Sequence, residues 1–286
     1  VSSVERIPTE EYAPREGLKF VDVFGLHGLY EGLMFRSNLV LVGPKGIGKT
    51  LSFQTFAALK KCPIITFDCS EDVRRSHLIG HHLLRGGETP FVLGPLTTAF
   101  EIANEVGQCI LVLEEINGLS PQMQKVLNGL ADFRRRIEVP ECQKVFKLNA
   151  GAKLWFVGTM NTAVYGGVYA LNEDLKSRFR LLALEYPNPA QEKAILTEVV
   201  DAELLKKLEP KTLDRVLQLA IETRQKAMEY ALSPRDVQQA IEDIASVGLP
   251  RALRILIGKF DGDDRDTVKA RITSIFGLKV SEGAIA

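Results

Sequence analysis

Gly43-Pro44-Lys45-Gly46-Ile47-Gly48-Lys49-Thr50 is the stretch from which the rest of the chain is read. It fits G-x-x-x-x-G-K-[ST], follows an apolar run at Leu39–Val42, and precedes a helical stretch expected to start near Leu51. Glycines let the backbone curl so that successive N–H groups point inward, and the following helix start adds partial positive charge. Together these suit a nucleotide β-phosphate. Gly43, Pro44, Lys45, Gly46, Ile47, Gly48, Lys49, Thr50 and Leu51 are therefore the candidate nucleotide-binding residues. Lys49 is expected to reach the β- and γ-phosphates, and the Thr50 hydroxyl to ligate Mg²⁺. A phosphate loop alone does not separate a kinase from a GTPase or a motor ATPase.

Outward from the loop, further apolar runs at Pro63–Phe67, Cys109–Leu113, Leu154–Val157 and Leu181–Tyr186 read as buried parallel strands. The third of the chain's runs ends in two carboxylates, Glu114 and Glu115, which are unlike core residues and fit the edge of a sheet. Adjacent side chains on a strand point to opposite sides. Glu114 is assigned to the Mg²⁺ shell and Glu115 to the attacking water. Asn161, in Gly158-Thr159-Met160-Asn161-Thr162, lies just beyond another strand, where an amide can offer donor and acceptor to phosphate and water together.

After Pro187 the periodicity becomes helical: Leu213, Val216, Leu217 and Ala220, then Val237, Ala240, Ile241 and Ile244. The expected organisation is an α/β core with a three-layer parallel sheet over residues 1–187 and a small α-helical lid over 188–260. A C-terminal helix, near Asp264–Phe276, and a tail fill 261–286. Ser233-Pro234-Arg235-Asp236 reads as a helix start, with Ser as N-cap and Pro in the first turn. An arginine there opposes the helix dipole unless an anion binds it.

The chain has 286 residues, 45% hydrophobic and 25% charged, with 36 basic and 36 acidic side chains, so no net positive field draws it to a phosphate backbone. The 4 cysteines, at 62, 69, 109 and 142, form no CxxC pair and are expected to be reduced and mostly buried. Neither a signal peptide nor a membrane span is visible, and a cytoplasmic protein is expected.

The set GPKGIGKT, CILVLEEIN, LWFVGTMNT, LNEDLKSRFR and LSPRD, in this order, resembles the AAA+ ATPases. Within them it is most similar to the MoxR-like branch of CbbQ, NorQ and GvpN-type activators, near dynein-related modules. The resemblance runs from about Asp22 to Val247. It implies a P-loop NTPase that hydrolyses ATP to ADP and phosphate with Mg²⁺, in a homo-oligomeric ring of six. It further implies a client protein, with a separate partner carrying a von Willebrand factor A-type domain. By the same resemblance Val23, Phe24 and Gly25 border the adenine, Asn161 is sensor 1, and Arg235 is the sensor-2 arginine of the lid. Arg178 is the arginine finger reaching a neighbour's nucleotide. Catalytic roles thus fall on Lys49, Glu115, Asn161 and Arg178. The family usually has Asp where Glu114 stands, and the longer side chain would hold Mg²⁺ at a shifted distance or through water.

Two insertions match that branch: one around Gly86-Gly87, with GGET as in CbbQ and NorQ proteins, and a candidate hairpin over Ile137–Leu148. In related rings such hairpins face the central pore or its rim. GTMNTAVYGG also has some likeness to McrB restriction motors, which keeps a nucleic-acid motor as an alternative, beside an assembly module with little turnover and a small-molecule kinase. His77, His81 and His82 with Cys69 lack zinc-ligand spacing. Arg134-Arg135-Arg136 is expected to close the helix begun at Ser120-Pro121, where cations suit the dipole.

Overall fold

Runs that are apolar on both faces can be buried only inside a sheet covered on both sides, and the five strands of the main sheet pair in parallel throughout. In the computed structural model, which describes residues 4–162, 169–225 and 228–278, these are β1 (Asn38–Val42), β2 (Ile64–Asp68), β3 (Gln108–Glu114), β4 (Lys153–Met160) and β5 (Phe179–Ala183). Their order across the sheet is β5-β1-β4-β3-β2. The core of β3, Cys109 to Leu113, is wholly buried. β5 starts earlier than the apolar run suggested and stops short of Tyr186. Its register against β1, from Phe179 opposite Asn38 to Ala183 opposite Val42, fixes both ends, and Leu184 N–H makes a last bond to Val42 O.

Parallel pairing brings the carboxyl ends of all five strands to one edge. The phosphate loop follows β1, Glu114 ends β3, and Asn161 follows β4. A helix, α1 (Lys49–Lys60), leaves the loop and packs through Phe53 and Phe56 against Trp155 of β4 and Tyr30, with ring centroids 4.8 to 5.9 Å apart. The polar tips are satisfied: Trp155 Nε1–H donates to Ser37 O at 2.9 Å, and the Tyr30 and Ser52 hydroxyls lie 2.7 Å apart. This anchors the start of α1 to the sheet that carries the acids.

Both expected hairpins are present. Gly80–His82 pairs antiparallel with Phe91–Leu93, which Val4–Glu5 joins in parallel. The tip residues Gly86 and Gly87 have φ of +61° and +88°, a turn that glycine enters without penalty. The second ribbon pairs Arg136–Val139 with Lys144–Lys147. His82 ties the two, its ring nitrogens facing Glu141 O at 2.9 Å and Thr89 O at 3.2 Å. Those two carbonyls raise its pKa, Glu141's first.

The arginine triplet does not close a helix. The helix begun at Pro121 ends at Val126, and a short one at Asn128–Ala131 stops where Asp132 takes the backbone N–H and guanidinium of Arg134 in a side-chain-capped turn. Arg135 then adopts φ of +45°, and Arg136 opens the second ribbon.

Contacts divide the chain into two units. The first comprises residues through Leu184 except Lys19–Val23 and Pro44–Ile47. The second comprises those two segments with everything from Glu185 on. Its helices include α2 (Pro189–Val199), α3 (Thr212–Gln225), α4 (Pro234–Val247), α5 (Leu249–Ile257) and α6 (Gly262–Phe276). Their apolar stripes, among them Leu196, Leu219, Ile241, Leu253 and Ile272, make one core. Within it Glu192 is fully buried. Arg224 holds it with two bonds, of 2.7 and 2.9 Å, while donating to Leu232 O at 2.7 Å and stacking on Tyr186. Removing one partner of a buried pair strands the other charge. Arg224→Met should therefore lower unfolding stability by about 3–5 kcal/mol, measured by urea denaturation, whereas a change under 1 kcal/mol would mean that water reaches Glu192.

Candidate functional site

The strand ends deliver an ammonium, an amide and two carboxylates to one edge, and hydrogen bonds link them. Lys49, at the start of α1, is buried; its Nζ donates to Gly43 O at 2.8 Å and to Asn161 Oδ1 at 3.0 Å. Asn161, also buried, donates through Nδ2 to Glu115 Oε1 at 2.8 Å. Beside this chain the Thr50 hydroxyl donates to Glu114 Oε2 at 2.6 Å. The two adjacent acids have different partners, because Glu114 ends the strand and Glu115 leaves it.

Glu115 is set by backbone geometry. Its φ of +50° is rare for a residue with a side chain and turns the chain off β3, while its N–H donates to Thr159 Oγ1 at 3.2 Å. Asn117 supports Asn161 from behind, with Nδ2 3.4 Å from Asn161 O. Cys69, bonded through its N–H to Glu114 O, is no candidate nucleophile: burial pushes its thiol pKa up, and the charges of Asp68, Glu114 and Glu115 push it further.

The donors fit a hard dication. A hydroxyl and a carboxylate oxygen converging within 2.6 Å are what Mg²⁺ takes when it keeps most of its waters. Thr50 and Glu114 would hold it, and it would supply charge neutralisation for phosphate oxygens. Lys49 can donate to the same oxygens. Glu115, joined to Lys49 through one amide, is placed to accept a proton from water.

Other expected residues lie in separate settings. Within the second unit, Gly46 has φ of +73° and is approached so closely that a Cβ there would sit 2.6 Å from Ser233 Oγ and 3.2 Å from Arg235 Cβ. Arg235 thus stands beside the tip of the phosphate loop, in the first turn of α4, whose N-cap is Ser233 paired with Asp236. Val23 O accepts from Gln191 Nε2 at 3.0 Å, and Gly25, with φ of +67°, caps the helix Leu26–Leu33. Phe24 lies between them in sequence. Ile47 is buried, and Leu51 lies inside α1.

Arg178 is not brought to the phosphate edge. It immediately precedes β5, and Phe179 pairs with Asn38 at the opposite end of the strands from Gly43. Five residues of β1 separate the two ends, about 16 Å at strand rise. Its guanidinium donates to Asp174 O at 2.6 Å and lines a cleft of about 360 Å³ with Arg36, Asp132, Phe133, Arg135 and Arg180. The sequence reading missed Asn38 and Asn117. The one visible signal was an amide directly before a wholly apolar strand.

Residues 38–179, just under half of the chain, match the family model described as AAA domain (dynein-related subfamily). An uncharacterized protein of Staphylococcus epidermidis is 30% identical over 154 residues, covering 52% of this chain and 56% of that protein. An uncharacterized protein of Staphylococcus aureus is 32% identical with the same coverage. The chain spans about half the length of the curated relatives it matches. Among solved structures, a "putative ATPase" from Cytophaga hutchinsonii aligns at TM-score 0.49 and 16% identity, covering 88% of each chain. No helix among the described residues is long and apolar enough to cross a membrane.

Gly46→Ala must push its methyl against Ser233 and hold a left-handed backbone, which costs roughly 1–2 kcal/mol before any clash. Nucleotide affinity should fall by about tenfold or more, read by titration with a fluorescent ATP analogue. Unchanged affinity would show that the loop tip relaxes freely.

Proposed function

We propose that the chain, whose residues 38–179 match an AAA domain of the dynein-related subfamily, hydrolyses ATP with Mg²⁺ and uses the reaction to remodel a partner protein, as a MoxR-like activator. The observation that carries the reading is the bonded chain Lys49–Asn161–Glu115 beside Thr50–Glu114. Phosphate binding, metal binding and water activation then occupy adjacent strand ends. Lys49 binds the β- and γ-phosphates, Thr50 and Glu114 hold Mg²⁺, and Glu115 accepts the proton of the attacking water. Asn161 orients that water against the γ-phosphate.

The position of Arg178 supports an assembly of copies. A guanidinium about 16 Å of strand from its own phosphate loop has no short route to it, so it serves the nucleotide of a neighbour. Six copies in a ring is the arrangement we favour. The exposed hairpin tips around Gly86 and Glu141 would meet the client, beside a separate partner carrying a von Willebrand factor A-type domain. Balanced charge favours a protein client over DNA or RNA.

Glu115→Gln keeps an acceptor for Asn161 but loses the base. ATP binding should persist while phosphate release falls by about 10²–10⁴-fold, and a mutant that turned over normally would remove Glu115 from its role. Arg178→Ala should lower turnover by about 10³–10⁵-fold with ATP binding intact. Wild-type turnover should rise steeply with protein concentration and be poisoned by added Arg178→Ala protein. A concentration-independent rate would sink the assembly, and strong stimulation by added DNA would replace the protein client with a nucleic acid.

A further inference from the structure

Asn38 opens β1 and is buried, at a position where an apolar side chain would ordinarily be placed. Its amide bonds three other residues. Nδ2 donates to Ala131 O at 2.8 Å and to Arg178 O at 3.0 Å, and Oδ1 accepts from Arg135 Nη2 at 2.7 Å. Arg135 in turn donates through Nη1 to Leu130 O at 3.0 Å. The planar guanidinium therefore spans two acceptors with its rigid fork, which a lysine could not reproduce. Arg135 reaches this place only by adopting φ of +45°. Burial pulls its pKa down, an effect that the charge of Asp132 opposes.

Burying an amide and part of a guanidinium is costly unless partners replace water, and here the partners include one object outside the Leu130–Arg135 turn. That object is the carbonyl of Arg178, hence the backbone from which its guanidinium extends into the cleft. Arg178 itself sits between the short helix Glu173–Arg178 and β5, a junction that helix hydrogen bonds alone would leave free to shift. We propose that Asn38 and Arg135 are positioning residues that fix the backbone of Arg178, and so set the reach of its guanidinium toward the nucleotide of a neighbouring copy. The proposal rests on the reading of Arg178 as the group one copy supplies to the next. It gives the arginine triplet a purpose that a solvated helix end does not.

The test is complementation between full-length variants. Glu115→Gln has a disabled site and an intact Arg178, whereas Asn38→Ala has an intact site and a displaced Arg178. Alone, Asn38→Ala should lose about 10²-fold in kcat, the scale of an ångström's misplacement, with the Kd for ATP unchanged because its own phosphate loop lies at the other sheet edge. Mixed with Glu115→Gln, it should recover turnover above the sum of the two proteins measured separately, as should Arg178→Ala. Arg135→Ala, changed at the cleft wall, repeats the test should Asn38→Ala fail to fold, and Arg135→Lys should remain as defective because it keeps charge without the fork. Normal kcat in both Asn38→Ala and Arg135→Ala would overturn the proposal. So would rescue of Arg178→Ala by Glu115→Gln without rescue of Asn38→Ala or Arg135→Ala, which would leave the network a matter of stability alone. Failure to rescue even Arg178→Ala would sink the reading of Arg178 and the proposal with it.

Discussion

Parallel pairing of β1, β4 and β3 is the constraint on which the candidate site depends. Each strand buries both faces and so carries little chemistry along its length. What chemistry the chain has must sit where strands end. Because all run the same way, the phosphate loop, the carboxylates and the amide arrive at one edge whatever the connections between them. The aromatic packing of Tyr30, Phe53, Phe56 and Trp155 then fixes the helix that begins with Lys49 to the strand that ends at Asn161.

The polar chain at that edge is stiff because it has few alternatives. Lys49 and Asn161 are buried, so the bonds from Gly43 O to the Asn161 amide replace water that these two side chains have lost, while Glu115 at the end of the run is exposed. An amide is the side chain that can accept from an ammonium while donating to a carboxylate. Incoming phosphate oxygens would compete for the ammonium, and the amide would then be free to turn to water. In the proposed reaction the same side chain would sense the nucleotide and release the base.

Most of this edge was legible because its signals are local. The phosphate loop and the acids ending an apolar run are each written in a few consecutive residues, as is the Ser233 helix start within the second unit. The strand limits were less so: Phe179 and Ala183 are ends only because Asn38 and Val42 lie opposite them. The arginine triplet was misread because a run of like charges drew attention from Asp132, whose turn stops the helix. Asn38 offered only its place before an apolar run. Its partners lie 93, 97 and 140 residues away, and nothing in the flanking apolar run distinguishes a bonded amide from a strand's polar start.

The cleft that holds Arg178 and the edge that holds Lys49 lie at opposite ends of one sheet, and this has a consequence for symmetry. A two-fold dimer could join them only by laying two copies antiparallel, so that one interface holds both ends and makes the contact twice. An assembly in which each interface makes the contact once is head-to-tail, with an unsatisfied donor and an unsatisfied acceptor left at its termini. Only closure removes them. If the rotation between neighbours does not close, the same contact grows without limit into a helical filament.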